Sequence, residues 1–369
     1  MYVHRDYTLF ARKRKHTLCG TFTFRNTHTY TTNEKTMKLK NLSTALIMAA
    51  MVAYTMAAQA VTIDLVLVGN PGNVADITGF GSVDHYYKIG KYEITAGQYT
   101  EFLNAVAAMS DPYELYNTSM WYNIYGCQIQ RSGSGTVSDP FMYSVASDWA
   151  NRPVDYVSWG DAARFTNWLH NGQPTGAQDP STTEDGAYYL NGVTTGAQLR
   201  AVIREADAQY WIPSEDEWYK AAYHKNDGVT GNYFDFPTGS DSMPSRVLGY
   251  PSDPGNNATF YNLGYTIGSP YYRTEVGAHE NSDSPYGTFD QGGNVFEWNE
   301  MPGTGSVRGL RGGSFSDGEL AASNRHGNVP SYESANIGFR VASVPEPSSI
   351  PVLITWVICL LAYVSRRRQ

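Results

Sequence analysis

The chain has 369 residues, with 27 Lys and Arg against 35 Asp and Glu, a net charge of −8. That length admits more than one domain, and a negative balance excludes the phosphate neutralisation on which nucleic-acid binding depends. Of the cysteines Cys19, Cys127 and Cys359, only Cys127 falls in the central region, so no disulfide can close within it.

In chain order, the first clear signal begins at Met37. A basic Met37-Lys38-Leu39-Lys40 is followed by an apolar run from Ala45 to Met56 and by Ala58-Gln59-Ala60. This is the layout of a secretory signal peptide over 37–60, which places the mature start at Val61. Residues 1–36 then read as a start codon set too early, or alternatively as a disordered basic leader. The other end, 344–369, carries Val344-Pro345-Glu346-Pro347, an apolar run from Ile350 to Val364, and Arg366-Arg367-Arg368. The run is short of the roughly 20 residues of a spanning helix, but arginine side chains extend its reach and hold that end on the cytoplasmic side. The order resembles the PEP-CTERM sorting signal of bacterial envelope proteins. The resemblance implies a transient membrane anchor recognised by sorting and processing machinery, and an ordinary C-terminal anchor is the alternative. Either reading exports the domain to the cell envelope or beyond, tethered at least transiently by its C-terminus.

Between these ends, 61–343 is the length of one large domain. Val61–Val344 holds 15 Lys and Arg against 32 Asp and Glu, a net of −17. Thr95 and Gln98 form a capping box for a helix over about 96–108, with Tyr99, Phe102, Leu103 and Val106 on one face. Ser158 caps a second helix that ends near His170, with Asp161 favoured at its positive end. Ser214 and Glu217 box a third, in which Trp218, Ala221 and Ala222 face inward. Beyond His224 no helical period of useful length appears. Residues 231–285 read as loops, and 289–298, 306–315 and 337–341 as strands or tight strand-loop pieces.

Six segments stand in order: Tyr92-Glu93-Ile94-Thr95; Pro153 to Ala163; Ile212 to Trp218; Gly293-Asn294-Val295-Phe296-Glu297-Trp298; Arg311-Gly312-Gly313-Ser314-Phe315; and Asn336-Ile337-Gly338-Phe339-Arg340. Together they resemble the formylglycine-generating enzyme (sulfatase-modifying factor) family. The resemblance implies an α+β, C-type-lectin-like fold with few helices and much irregular chain. It also implies an oxidase that converts a protein cysteine to formylglycine with copper, through two cysteines after the Arg-Gly-Gly-Ser-aromatic motif. Here those positions fall on Asp317 and Ala322, a hard oxygen donor and a methyl group, neither able to replace a thiolate. Copper is therefore not expected, and Arg311, Gly312, Gly313 and Ser314 read as a motif remnant. The family's structural calcium sites map onto Asp290, Gly293, Val295 and Glu297 and, less completely, onto Asn262 and Leu263.

The reading that follows is an exported, non-catalytic module that binds an extracellular glycan, a peptide or another envelope protein. Tyr and Trp of 113–125 and 261–272 are the candidate contact residues. The alternative is a formylglycine-generating oxidase that activates sulfatases. Glu215, Asp216 and Glu217 are explained by helix capping rather than by glycoside hydrolysis. The five histidines of the domain show no metal-binding spacing.

Overall fold

The computed structural model describes residues 60–249, 254–301 and 305–345. The leader, the signal peptide, the apolar run 350–364 and the arginine cluster lie outside the described residues. The chain divides into units Met1–Ala60 and Val61–Gln369, and the fold below is that of the second.

Two four-stranded sheets organise it. In the first, β1 (Leu65–Val68), β2 (Tyr87–Gly90), β10 (Ala342–Ser343) and β5 (Tyr210–Trp211) lie side by side, all antiparallel. The second has the order β8 (His326–Asn328), β7 (Arg308–Arg311), β6 (Phe296–Asn299), β9 (Ile337–Gly338), antiparallel except for the β6–β9 pair. A hairpin of β3 (Gln130–Ser132) and β4 (Met142–Ser144) stands apart.

The three expected helices are present, each opened by its cap. α1 (Ala96–Val106), α4 (Trp159–His170) and α6 (Glu215–Tyr223) start from Thr95, Ser158 and Ser214, every one a complete capping box. At α4 the reciprocal partner is the short carboxylate of Asp161, which accepts from the Ser158 amide at 2.8 Å. Short helices α2 (Ser119–Tyr122), α3 (Ser147–Ala150) and α5 (Gly196–Ala201) escape a periodicity argument, being one or two turns long. No described helix follows Tyr223, as the loop-rich composition indicates.

The main core joins α1, α4 and both sheets. Phe102, Phe165 and Trp168 pack with centroids 5.3 to 5.7 Å apart, Phe102 edge-on to Phe165, and Phe339 closes on Phe165 at 5.4 Å. The carbonyl-rich loops are fastened by buried arginines. Arg308 donates to the Glu300 and Leu199 carbonyls, and Arg164 pairs with Glu184 at 2.6 Å. No described helix is long and apolar enough to cross a membrane.

Candidate functional site

Strand β7 delivers Arg311 at its end, and Arg311 anchors the loop that follows. Its guanidinium meets Glu215 at 2.7 Å and donates to the carbonyls of Ala322 and Asn324 at 2.9 and 2.7 Å. The chain then reverses through two successive left-handed residues, Gly312 at φ 96° and Gly313 at φ 73°. A Cβ on Gly312 would lie 2.5 Å from the Gln291 carbonyl oxygen, so only glycine fits.

After this turn Ser314 donates its hydroxyl to Asp317, whose other oxygen accepts the Glu319 amide at 3.1 Å. Burial raises the Asp317 carboxyl above its usual range, with these hydrogen bonds opposing. Asp317 is thus spent on closing its own turn. Ala322 lies elsewhere in the local structure. It is buried with Trp218, Tyr219, Ala222 and Tyr223, donates its amide to Asp235, and lines a cavity of about 350 Å³. Cys127 is fully buried, its amide on Asp155 at 3.0 Å, and burial holds its thiol well above the usual range. It has neither the exposure nor the thiolate character of a nucleophile.

Above the same turn, aromatic rings gather. Phe315 has Tyr125, Tyr272 and Tyr265 around it at 5.8, 6.0 and 6.4 Å. Tyr272 meets Tyr125 at 4.7 Å and Tyr265 at 5.0 Å, and Tyr261 extends the group from Tyr265 at 5.1 Å. The two tyrosine-bearing segments expected from the sequence therefore converge. Their shared seat is Phe315, which the sequence marks only as part of the Arg-Gly-Gly-Ser-aromatic motif. Tyr261 is also tied to the turn, its amide donating to the Asp317 carbonyl at 3.1 Å. Tyr122 is exposed nearby in sequence, whereas Tyr116 is buried against Tyr143 beneath Arg131.

The expected calcium cage does not fit the geometry. Both Glu297 oxygens are taken by Arg340 at 2.6 Å, and Oε2 also accepts from the Trp218 indole at 2.7 Å. Asp290 accepts the Gly277 amide at 2.6 Å, while Gly293 sits in a backbone bridge to Thr259. At the second position the Asn262 carbonyl accepts from Arg246 at 2.8 Å, and Leu263 points into solvent. Guanidinium groups thus meet the Glu297 carboxylate and the Asn262 carbonyl, two of the oxygens expected to hold calcium.

The three acids opening α6 are likewise committed. Glu215 pairs with Arg311 and Arg325, Asp216 accepts the Gly81 amide, and Glu217 caps its helix while meeting Arg204 and His85.

A family model described as the sulfatase-modifying factor enzyme 1-like domain matches residues 81–344, well over half the chain. The chain belongs to this family. Among curated relatives of this sulfatase-modifying factor-like protein, one is the inactive C-alpha-formylglycine-generating enzyme 2 of Mus musculus. It is 30% identical over 146 residues, covering 36% of this chain and 42% of the relative. Another is the serine/threonine-protein kinase pkn1 of Chlamydia caviae, 24% identical over 279 residues, covering 70% of this chain and 33% of the relative. The chain thus spans well under two thirds of either one's length. Solved structures similar to it include CarF, with TM-score 0.48 and 20% identity over 77% of this chain and 99% of that one. PvdO from Pseudomonas aeruginosa gives TM-score 0.38 and 17% identity over 77% and 93%.

Proposed function

We propose that this sulfatase-modifying factor-like domain, on a C-type-lectin-like scaffold, is a non-catalytic module that binds a ligand outside the cell. The observation that carries the reading is the tyrosine cluster on Phe315, built directly over the turn in which Asp317 occupies the family's first cysteine position. Thiolates hold Cu(I) and carry out exchange, and neither Asp317 nor Ala322 supplies one. The Arg311-to-Ser314 frame is explained by its structural contacts: the Arg311 guanidinium on Glu215 and two carbonyls, the two left-handed glycines, and the Ser314 hydroxyl on Asp317. A curated relative described as inactive is in keeping with this.

Rigid, amphipathic tyrosines on loops offer contact area at low entropic cost. The signal-peptide pattern of 37–60 and the terminal pattern of 344–369 support export and at least transient tethering at the envelope. The ligand is then an extracellular glycan, a peptide or an envelope protein.

The test has two arms. The purified domain is incubated with copper, O₂ and a Cys-x-Pro-x-Arg peptide, and aldehyde is followed by mass spectrometry; turnover lost on substitution around Asp317 sinks the non-catalytic reading. In parallel, retention of envelope components on the immobilised domain is compared with that on Tyr265→Ala, and retention indifferent to Tyr265 removes the cluster as the binding site.

A further inference from the structure

We infer that the ligand is a neutral oligosaccharide and that its site continues past the tyrosine cluster into a second stacking face at Tyr271, in the cleft formed by 267–280. The inference rests on the binding-module reading and adds a ligand class and a subsite to it.

The geometric basis is the divergence of two adjacent tyrosines. Tyr272 has φ 58°, a left-handed conformation that a bulky residue adopts only when its surroundings enforce it. The two neighbouring side chains meet different partners. Tyr272 joins Tyr125 and Tyr265, whereas Tyr271 lies against Trp149 at 5.1 Å. The two platforms are one chain step apart, about 3.8 Å along the backbone.

Tyr271 is a supported platform. The Arg152 guanidinium lies 3.9 Å from its ring centre on one side, and its hydroxyl donates to Asp148 at 2.9 Å. Arg152 is itself held by the Asp148 and Arg273 carbonyls. A ring fixed by a cation behind it and by its hydroxyl is pre-organised, so a ligand meets little ordering cost. Tyr271 lines a cleft of about 800 Å³, with Ile267, Pro270, Thr274, Glu275 and Glu280 among its walls. That volume is within the range of small-ligand sites, roughly 300 to 1,000 Å³.

The chemistry of the walls selects the class. The cleft's arginine, Arg152, already donates to the Asp148 and Arg273 carbonyls, and exposed Glu275 and Glu280, in a domain of net charge −17, oppose acidic polysaccharides and nucleic acids. Carboxylates are acceptors only and suit a ligand rich in hydroxyl donors, while ring faces suit the apolar faces of sugars. A peptide captured by strand addition needs a free sheet edge, and 267–280 contains no strand. Two faces separated by a single loop suit a chain of rings better than one.

The experiment titrates the folded domain with neutral hexasaccharides and disaccharides of glucose, mannose and N-acetylglucosamine, and with a proline-rich peptide, by calorimetry and tryptophan fluorescence. One hexasaccharide is expected to bind about tenfold or more tighter than its disaccharide, one stacking contact being worth that much. Tyr271→Ala, its fold checked by thermal melting, is expected to abolish this length advantage by bringing hexasaccharide affinity down to that of the disaccharide. Tyr265→Ala is expected to weaken both. A length advantage that survives Tyr271→Ala overturns the second subsite. Binding of the peptide alone, or of no sugar at all, overturns the ligand class while the envelope-retention test still judges the binding-module reading separately.

Discussion

Arg340 closes on Glu297 with both arms, each at 2.6 Å, in a pair with no more than 1% side-chain exposure at either partner. Glu93 and Asp290 face the same pair, and burial raises both carboxyls, Asp290 to about 6. Glu297→Gln takes from the buried Arg340 guanidinium the carboxylate that meets both its arms, and about 3–5 kcal/mol of stability is expected to go. Denaturant unfolding of the two proteins measures it; a loss below 1 kcal/mol, roughly that of an exposed pair, would contradict the assignment.

Because guanidinium groups already meet Glu297 and the Asn262 carbonyl, added calcium is expected to leave the melting temperature where an equal ionic strength of sodium leaves it. A saturable rise, which is what binding to the native state produces, would show that a cation site had been missed.

The turn after Arg311 is predicted to fail with a single methyl group. Gly312→Ala combines positive φ with a 2.5 Å approach to the Gln291 carbonyl, and Gly293→Ala a 2.2 Å approach to that of Thr259. Each is expected to cost several kcal/mol, whereas Gly72→Ala, equally left-handed but with open space around it, should cost about 1–2 kcal/mol. Equal losses at all three sites would show that backbone conformation, not close approach, is what matters.

Glu333 supplies a pH dependence. Burial, and then the carboxylates of Asp161, Glu114 and Asp111, push its carboxyl from 4.5 to about 8. A pKa raised on folding contributes stability that is complete below about 4.5 and is lost as pH rises through about 8. Glu333→Gln, which stays neutral, should therefore gain in melting temperature relative to the wild type as pH climbs through that window. A constant difference between the two proteins would mean that Glu333 is ionised throughout.

Much of the fold was readable because its helix starts are written in local chemistry: Thr95, Ser158 and Ser214 each need only a partner three residues on. The strands β1, β2, β5 and β10 were not readable, being two to four residues long and joined across the whole chain, with Ala342 against Ile89 and Trp211. At the site, the tyrosine segments were visible but their meeting point was not, since Phe315 gathers them through contacts with no sequence period. The partner of the expected calcium carboxylate was hidden for a related reason. Residue type shows that Glu297 can bind a cation, and only the folded chain shows that the cation is Arg340.

The paired glycines after Arg311 carry a wider consequence. They are held in place by steric demands that any member with this turn must meet, whether or not it performs chemistry. A pattern of that kind belongs to the architecture, so recognising it in a new sequence identifies a shape. The reaction has to be sought in the positions just downstream, which here hold Asp317 and Ala322.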